Sequence, residues 1–270
     1  MVRGVLIDLS GVLYVGEAVL PGAVAALDQL SSAGVPVRFL TNTTRKTRAM
    51  ILTQLRDFGI AVAEDQIFTP AQAACARLAA EGHAAHLLIH PDLAPDFAAC
   101  AKDGPVAVVI GDAGPYFDYA GLNAAFRELM RGAPFLALAA NRVFRDADGD
   151  LSMDAGAFVH ALEYASGRTA TVLGKPSAEF FAAAAGSMGL PLSDVAMIGD
   201  DAEADVAGAL AAGAGAAILV RTGKYRPGDE TRVSPSPTVV ADDIGGAVEF
   251  LLAQAEPDPS TATERPFPFR

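Results

Sequence analysis

The chain has 270 residues, 51% of them hydrophobic and none forming a long uninterrupted apolar span, so one large or two modest water-soluble domains are expected rather than a membrane-embedded fold. Its formal net charge of −12 works against nucleic acid or an anionic membrane as partner, because both select a basic footprint; it suits a divalent cation instead. Cys75 and Cys100 lie in alanine-rich surroundings, far from any Cys or His at metal-ligand spacing, and read as reduced core thiols.

The first predicted element is a strand over residues 5–9, where Val5, Leu6 and Ile7 follow one another without polar alternation, as in a parallel strand buried on both faces. A strand so close to the first residue leaves no room for a secretory leader, and a cytoplasmic address is the expectation. Asp8 falls at the strand's end, ahead of the turn signalled by Gly11, and ligands of open parallel sheets collect at that edge. Taken singly, Asp8 reads equally well as a turn-capping residue.

Pro21 opens a helix that Gly34 closes, and a strand over 35–40 completes a strand–helix–strand unit. A helix over 45–58 ends at Gly59, and Pro70 precedes a third over 71–81. The middle is less regular: apolar runs at 86–89, 106–110 and 135–139 are separated by Pro- and Gly-bearing loops and one amphipathic helix over 119–130. The alternation returns with 171–173, a helix over 178–188, a strand over 195–198, a helix over 203–212 and a strand over 216–220. The pattern predicts an α/β fold: a doubly wound parallel sheet from residues 1–83 and 170–255, with a second α/β domain inserted at 84–169. Residues 256–270, rich in proline and small polar residues, are expected to be disordered. Gly213 and Gly215 follow a helix, the reverse of the order a dinucleotide fingerprint requires.

Three more segments end predicted strands: Leu40-Thr-Asn-Thr-Thr44, Leu173-Gly-Lys-Pro176 and Met197-Ile-Gly-Asp-Asp201. Together with Asp8 they bring a carboxylate, a hydroxyl, an ammonium and an acid pair to one sheet edge, which is the inventory of phosphoryl transfer. Lys175 offers a point charge and Thr41 a hydroxyl donor, while Asp8, Asp200 and one backbone carbonyl would suffice for Mg²⁺. Asp8 could then serve as nucleophile, through an aspartyl phosphate that water cleaves. Each residue also has a plainer role. Thr41 or Thr43 could cap the helix near Arg45, Lys175 could be a solvated loop lysine, and Asp200 and Asp201 could favour the positive end of the next helix. Four such coincidences in this order favour the site. Asp201 and Asp205, four apart on a predicted helix, repel by a few tenths of a kcal/mol, which Lys175 or a cation would offset.

With these motifs, and the stretches Asp8-Leu-Ser-Gly-Val-Leu-Tyr14, Leu87-Leu-Ile-His90, Phe158-Val-His-Ala-Leu-Glu-Tyr-Ala165, Gly174-Lys-Pro176 and Arg221-Thr-Gly-Lys-Tyr-Arg226, the chain resembles the haloacid dehalogenase superfamily. The likeness is to its subfamily IIA phosphatases, which carry a large α/β cap inserted after the second motif, and it covers nearly everything up to about residue 253. The resemblance implies Asp8 as nucleophile, Thr41 as the phosphate-binding hydroxyl and Lys175 as the motif lysine. It implies Mg²⁺ held by Asp8, Asp200 and the backbone carbonyl of Ser10, with Asp205 supporting the metal shell. It further implies a small phosphorylated substrate lying against Ser10, Gly11, Asn42 and Thr43, and a homodimer paired through the cap.

Ser10 departs from the superfamily pattern, where most phosphatases carry an aspartate that protonates the leaving group. Such general acid help is worth about 10² to 10⁴ in rate. Two readings follow: a phosphatase for easily departing leaving groups, such as pyrophosphate or protonated phosphoramidates, or a phosphate-sensing or protein-binding module with negligible turnover. The candidates for substrate selection are Asn141, Arg142 and Phe144, before a turn at Gly149, with Arg142 as an anion clamp; the same loop could be only a hairpin. His86, His90 and His160 have no spacing that suggests a metal.

Overall fold

The protein is described by a computed structural model covering residues 2–145 and 150–255. Gly149 and residues 256–270, for which a turn and a disordered tail are expected, lie outside the described residues. The larger sheet has six strands, all paired in parallel, in the order Val239–Ala241, Ala216–Val220, Val195–Gly199, Gly4–Asp8, Val37–Leu40 and Ile67–Phe68. Gly4–Asp8 is buried along its whole length because helices cover both faces. Val5 and Ile7 face helices Ala23–Ser32, Arg48–Asp57 and Ile244–Ala255 through Leu30, Ile51, Leu55 and Val248. Leu6 points to the opposite layer, formed by Phe180 and Phe181 of helix Ala178–Gly186 with Val206 and Ala209. An unbroken apolar run thus serves two cores at once, odd residues one way and even residues the other.

The register fixes the functional edge. Ile7 lies opposite Ile198 and Asp8 opposite Leu40, so Asp8, Thr41 and Asp200 leave three neighbouring strands at one level.

A second, four-stranded parallel sheet runs Thr171–Val172, Phe135–Ala137, Val106–Ile110 and Ala84–Leu88. Two expectations change here. Thr171–Val172, read as the return to the larger sheet, instead pairs with Leu136 and Ala137 at the edge of the smaller one. Helix Pro70–Glu81, read with the first third of the chain, packs its Ala71, Ala74 and Leu78 against Ala107, Val109 and Leu136 of the smaller sheet. The smaller unit therefore draws on residues either side of the expected insertion at 84–169. A two-residue strand and an alanine-surfaced helix carry too little pattern to declare which sheet they serve. Helices Tyr119–Met130 and Ala155–Ser166 cover the opposite face, through Ala125, Leu129, Val159 and Leu162.

The cysteines are free thiols, with Sγ atoms 2.9 Å apart, and burial pushes the Cys75 thiol well above its ordinary range. Among the described residues, no helix is long and apolar enough to cross a membrane.

Candidate functional site

Three strand ends and one return crossing assemble the cluster. Asp8, Asp200 and Asp205 are buried, and one carboxylate oxygen of each lies within 4.8 Å of the others. Lys175, 4% exposed, reaches between them: its Nζ donates to Asp8 Oδ1 and lies 2.6 Å from Asp205 Oδ1. The plainer role of a solvated loop lysine is thereby removed. Asp200 Oδ2 accepts the backbone N–H of Lys224 at 2.6 Å, while its buried Oδ1 has no hydrogen-bond partner among the described residues.

The electrostatics of this cluster are short of positive charge. Burial, then the charges of Asp8 and Asp205, push the Asp200 carboxyl up to about 8. Burial raises Asp205 as well, to about 6; Lys175 opposes the rise and Asp8 adds to it. Burial alone would depress Lys175, but Asp205 and Asp8 outweigh it and hold the ammonium above the usual lysine range. Three buried carboxylates, one cation and one orphaned carboxylate oxygen fit a hard divalent ion with oxygen ligands.

Glycines bring bare backbone against these acids. A Cβ on Gly11 or on Gly223 would stand 2.0 Å from Asp200 Oδ2, and both residues have positive φ, +93° and +61°. Gly11, expected against substrate, is therefore a wall for Asp200 and not part of the cleft lining.

The segment after Val37–Leu40 resolves the threonine question. Helix Arg48–Asp57 begins three residues later than expected, and its N-cap is Thr47, whose side chain accepts the Met50 N–H at 3.2 Å. Thr41 and Thr43 are thus free of capping and both line the cleft; Thr41 Oγ1 accepts the Thr43 N–H at 3.1 Å. Asn42 also lines the cleft, but its amide clasps the chain at Lys175, donating to the carbonyl and accepting the N–H, each at 2.8 Å. Asp200 and Asp201 divide their roles. Asp201 Oδ1 caps the following π-helical turn, Ala202–Ala207, accepting N–H groups of Glu203 and Ala204 at 3.2 and 2.9 Å.

These residues line a cleft of about 340 Å³, which exposed Ser10 and buried Tyr14 also border. Burial and the nearby Asp8 charge push the Tyr14 phenol up to about 12. The smaller unit contributes Asp112, Asn141, Phe144 and Asp154. The 141–144 segment is indeed one arm of a hairpin, Val143–Arg145 against Leu151–Met153. Phe144 turns into the cleft, whereas Arg142 is exposed and lies outside the lining, its carbonyl accepting the Asp154 N–H at 3.2 Å. The expected anion clamp is therefore not at the cleft. Arg45 is, paired with Asp112 by two contacts, Nε to Oδ2 at 2.5 Å and Nη2 to Oδ1 at 3.2 Å, with its guanidinium carbon 5.1 Å from the Phe144 ring centre. Sequence reading passed over Arg45, Lys46 and Lys224; the signal was their position directly after Thr41–Thr44 and inside Arg221–Arg226. His90 and His160 sit beside Asp92 and Glu163, and no histidine borders the cleft.

The geometry can be set beside known proteins. Residues 5–101 match the haloacid dehalogenase-like hydrolase family, and residues 172–247 match the HAD-hydrolase-like family. A Homo sapiens relative, haloacid dehalogenase-like hydrolase domain-containing protein 2, is 41% identical over 93% of this chain and 96% of its own length. A Xenopus laevis relative, phospholysine phosphohistidine inorganic pyrophosphate phosphatase, is 38% identical over 94% and 96%. Among solved structures, the 4-nitrophenylphosphatase of Thermotoga maritima superposes with a TM-score of 0.83 at 26% identity, covering 92% of this chain and 97% of that one. A Mycobacterium tuberculosis glycerol phosphate phosphatase, solved in complex with magnesium, gives 0.79 at 26% identity, covering 90% and 76%. By fold, motif order and identity along nearly its whole length, the chain belongs to the haloacid dehalogenase-like hydrolases.

Proposed function

We propose that the chain is a Mg²⁺-dependent phosphatase that forms an aspartyl phosphate on Asp8. Its substrates in this reading are small phosphorylated molecules with easily departing leaving groups: pyrophosphate, or phosphoramidates such as phosphohistidine and phospholysine. The observation that carries it is the buried Lys175 bridging Asp8 and Asp205 beside the orphaned Asp200 Oδ1, at the carboxyl edge of the sheet.

In this mechanism Asp8 attacks phosphorus with one carboxylate oxygen while Lys175 holds the other; the bond from phosphorus to the leaving group breaks with its electron pair, and water then cleaves the aspartyl phosphate to release phosphate and restore Asp8. The Thr41 hydroxyl receives an equatorial phosphoryl oxygen. Asp8, Asp200 and the Ser10 carbonyl would hold Mg²⁺, with Asp205 behind them, and the ion supplies charge that screens the incoming dianion from Asp8. The magnesium in the mycobacterial relative's structure supports that ion, and the name of the Xenopus relative supports the substrate class. Ser10 lacks a carboxylic proton, so leaving groups that need none are favoured. The larger sheet serves as catalytic core and the smaller unit as cap. The exposed Tyr119 and Tyr164 on the cap's helices offer surface for pairing two copies, in a cytoplasmic homodimer.

The test is phosphate release, with and without Mg²⁺, from pyrophosphate, phosphohistidine, phospholysine, an alkyl phosphate and p-nitrophenyl phosphate, with Asp8→Asn as the blank. The expected result is Mg²⁺-dependent release that Asp8→Asn abolishes, slowest on the alkyl phosphate. Release that persists in Asp8→Asn would refute the nucleophile. No release from any substrate would favour a phosphate-binding module, the reading that Ser10 alone suggests.

A further inference from the structure

Four cationic side chains line the cleft, and three are committed to carboxylates. Lys175 is held by Asp8 and Asp205, Arg45 by Asp112, and Lys224 lies 3.3 Å from Asp201. The fourth, Lys46, has no carboxylate partner among the described residues; its Nζ donates to the neutral Gln54 Oε1 at 2.8 Å. Gln54 is in turn anchored, its Nε2 donating to the carbonyl of Gly16, another residue of the cleft, at 3.3 Å. An ammonium has three donors, so Lys46 is aimed by one hydrogen bond and, among the described residues, keeps two for a ligand with no carboxylate within ion-pair distance. It stands five residues beyond Thr41, and both residues line the cleft.

We propose that Lys46 binds an anionic leaving group, so that the cleft selects phosphoanhydrides, pyrophosphate above all, over phosphoramidates of cationic amines. This rests on the phosphatase reading above and narrows its substrate class. As a bond forms between Asp8 Oδ and the attacked phosphorus, the bond from that phosphorus to the bridging oxygen breaks. The bridging oxygen keeps the electron pair and leaves as part of inorganic phosphate. Lys46 offsets the charge that the departing phosphate gains, and no proton need move, which suits a site whose Ser10 offers none. A lysyl ammonium on the leaving side would instead meet Lys46 as a like charge. Two carboxyls of the lining face no cation within ion-pair distance among the described residues, Asp200, which the phosphatase reading gives to the metal, and Asp154; Asp154 does not reverse this balance. Burial pushes it above the ordinary carboxylate range, against the opposing hydrogen bond from the Ala155 N–H.

The experiment compares kcat/KM of the full chain and of Lys46→Gln and Lys46→Arg on pyrophosphate, p-nitrophenyl phosphate and phospholysine, in Mg²⁺. Losing one charged hydrogen bond to the leaving group lowers kcat/KM on pyrophosphate about tenfold to a hundredfold in Lys46→Gln, and lowers that on p-nitrophenyl phosphate less, because the departing phenolate spreads its charge over the ring, so the ratio of the two falls. Lys46→Arg restores most of it, and the phospholysine to p-nitrophenyl phosphate ratio rises or holds. Inhibition by methylenebisphosphonate gives a readout without turnover: Lys46→Gln weakens it more than it weakens inhibition by inorganic phosphate. Equal losses on all three substrates, or equal weakening of both inhibitors, overturn the leaving-group role while sparing the phosphatase reading. A wild-type chain that releases phosphate from none of the substrates sinks both, and Asp8→Asn separates that outcome from contaminating activity.

Discussion

Replacing Lys175 with methionine removes the one cation buried among Asp8, Asp200 and Asp205 and leaves the volume nearly unchanged. Breaking a buried ion pair from one side costs about 3–5 kcal/mol, because the partner charge remains buried without compensation. For a chain of this size that corresponds to a fall in Tm of roughly 6 to 20 °C. The pH dependence identifies the cause. In the folded protein Asp200 titrates at about 8 and Asp205 at about 6, both above the ordinary 3.8, so the native state binds more protons than the unfolded chain between about pH 4 and pH 8. Stability in EDTA therefore falls as pH rises through that window and levels off above it. Without Lys175, Asp205 loses the partner that holds its carboxyl down, and the window extends upward. The cost of Lys175→Met is thus smaller near pH 5, where Asp200 and Asp205 are protonated, than at pH 8; saturating Mg²⁺ recovers part of it. Urea unfolding at pH 5 and pH 8, in EDTA and in Mg²⁺, measures all four corners. A loss of equal size at both pH values, untouched by Mg²⁺, would mean that Lys175 matters by packing alone, and the electrostatic account would fail.

Other predictions use the same structure. For the unaltered protein, the Tm gain on adding Mg²⁺ should be larger at pH 8 than at pH 6, since protons compete for Asp200 and Asp205 at the lower pH; equal gains would disconnect the cluster from the metal. Gly223→Ala puts a Cβ 2.0 Å from Asp200 Oδ2 and 2.5 Å from the Gly11 Cα, and should cost about 1–3 kcal/mol and blunt the Mg²⁺-dependent Tm gain. Gly186→Ala, on a helix with open space at its Cβ, should be neutral or stabilise by about 0.5–1 kcal/mol in the same urea titration. Thr47→Ala should cost about 1 kcal/mol through its lost cap and leave kcat/KM within about twofold. Thr41→Ala should show the reverse pattern, with catalysis falling by more than stability.

The apolar run of Val5 to Ile7 displayed its buried parallel strand because a strand covered on both faces needs no polar alternation, and the acids and threonine at strand ends followed from topology. Local competition was harder to read. Three hydroxyls, Thr43, Thr44 and Thr47, stand close enough to compete for one helix start, and only the chain's path shows that Thr47 wins. The adjacent acids Asp200 and Asp201 look alike in sequence and both border the cleft, yet Gly11 and Gly223 pack against Asp200 while Asp201 caps a helical turn. Arg142 precedes the strand Val143–Arg145, so the alternation that turns Phe144 into the cleft does not extend to it. Arg45, Lys46 and Asp154 belong to loops, where no period marks the inward side.

The Asn42 clasp on the Lys175 main chain has a temporal meaning. Asp8 belongs to the first strand of the chain, but its counter-charge is brought back only after the whole smaller sheet has been laid down and closed at Thr171–Val172. Until that crossing is made, Asp8 lacks the buried cation that holds one of its oxygens. A chain with a damaged smaller sheet would therefore misplace Lys175 and fall silent before it was unstable.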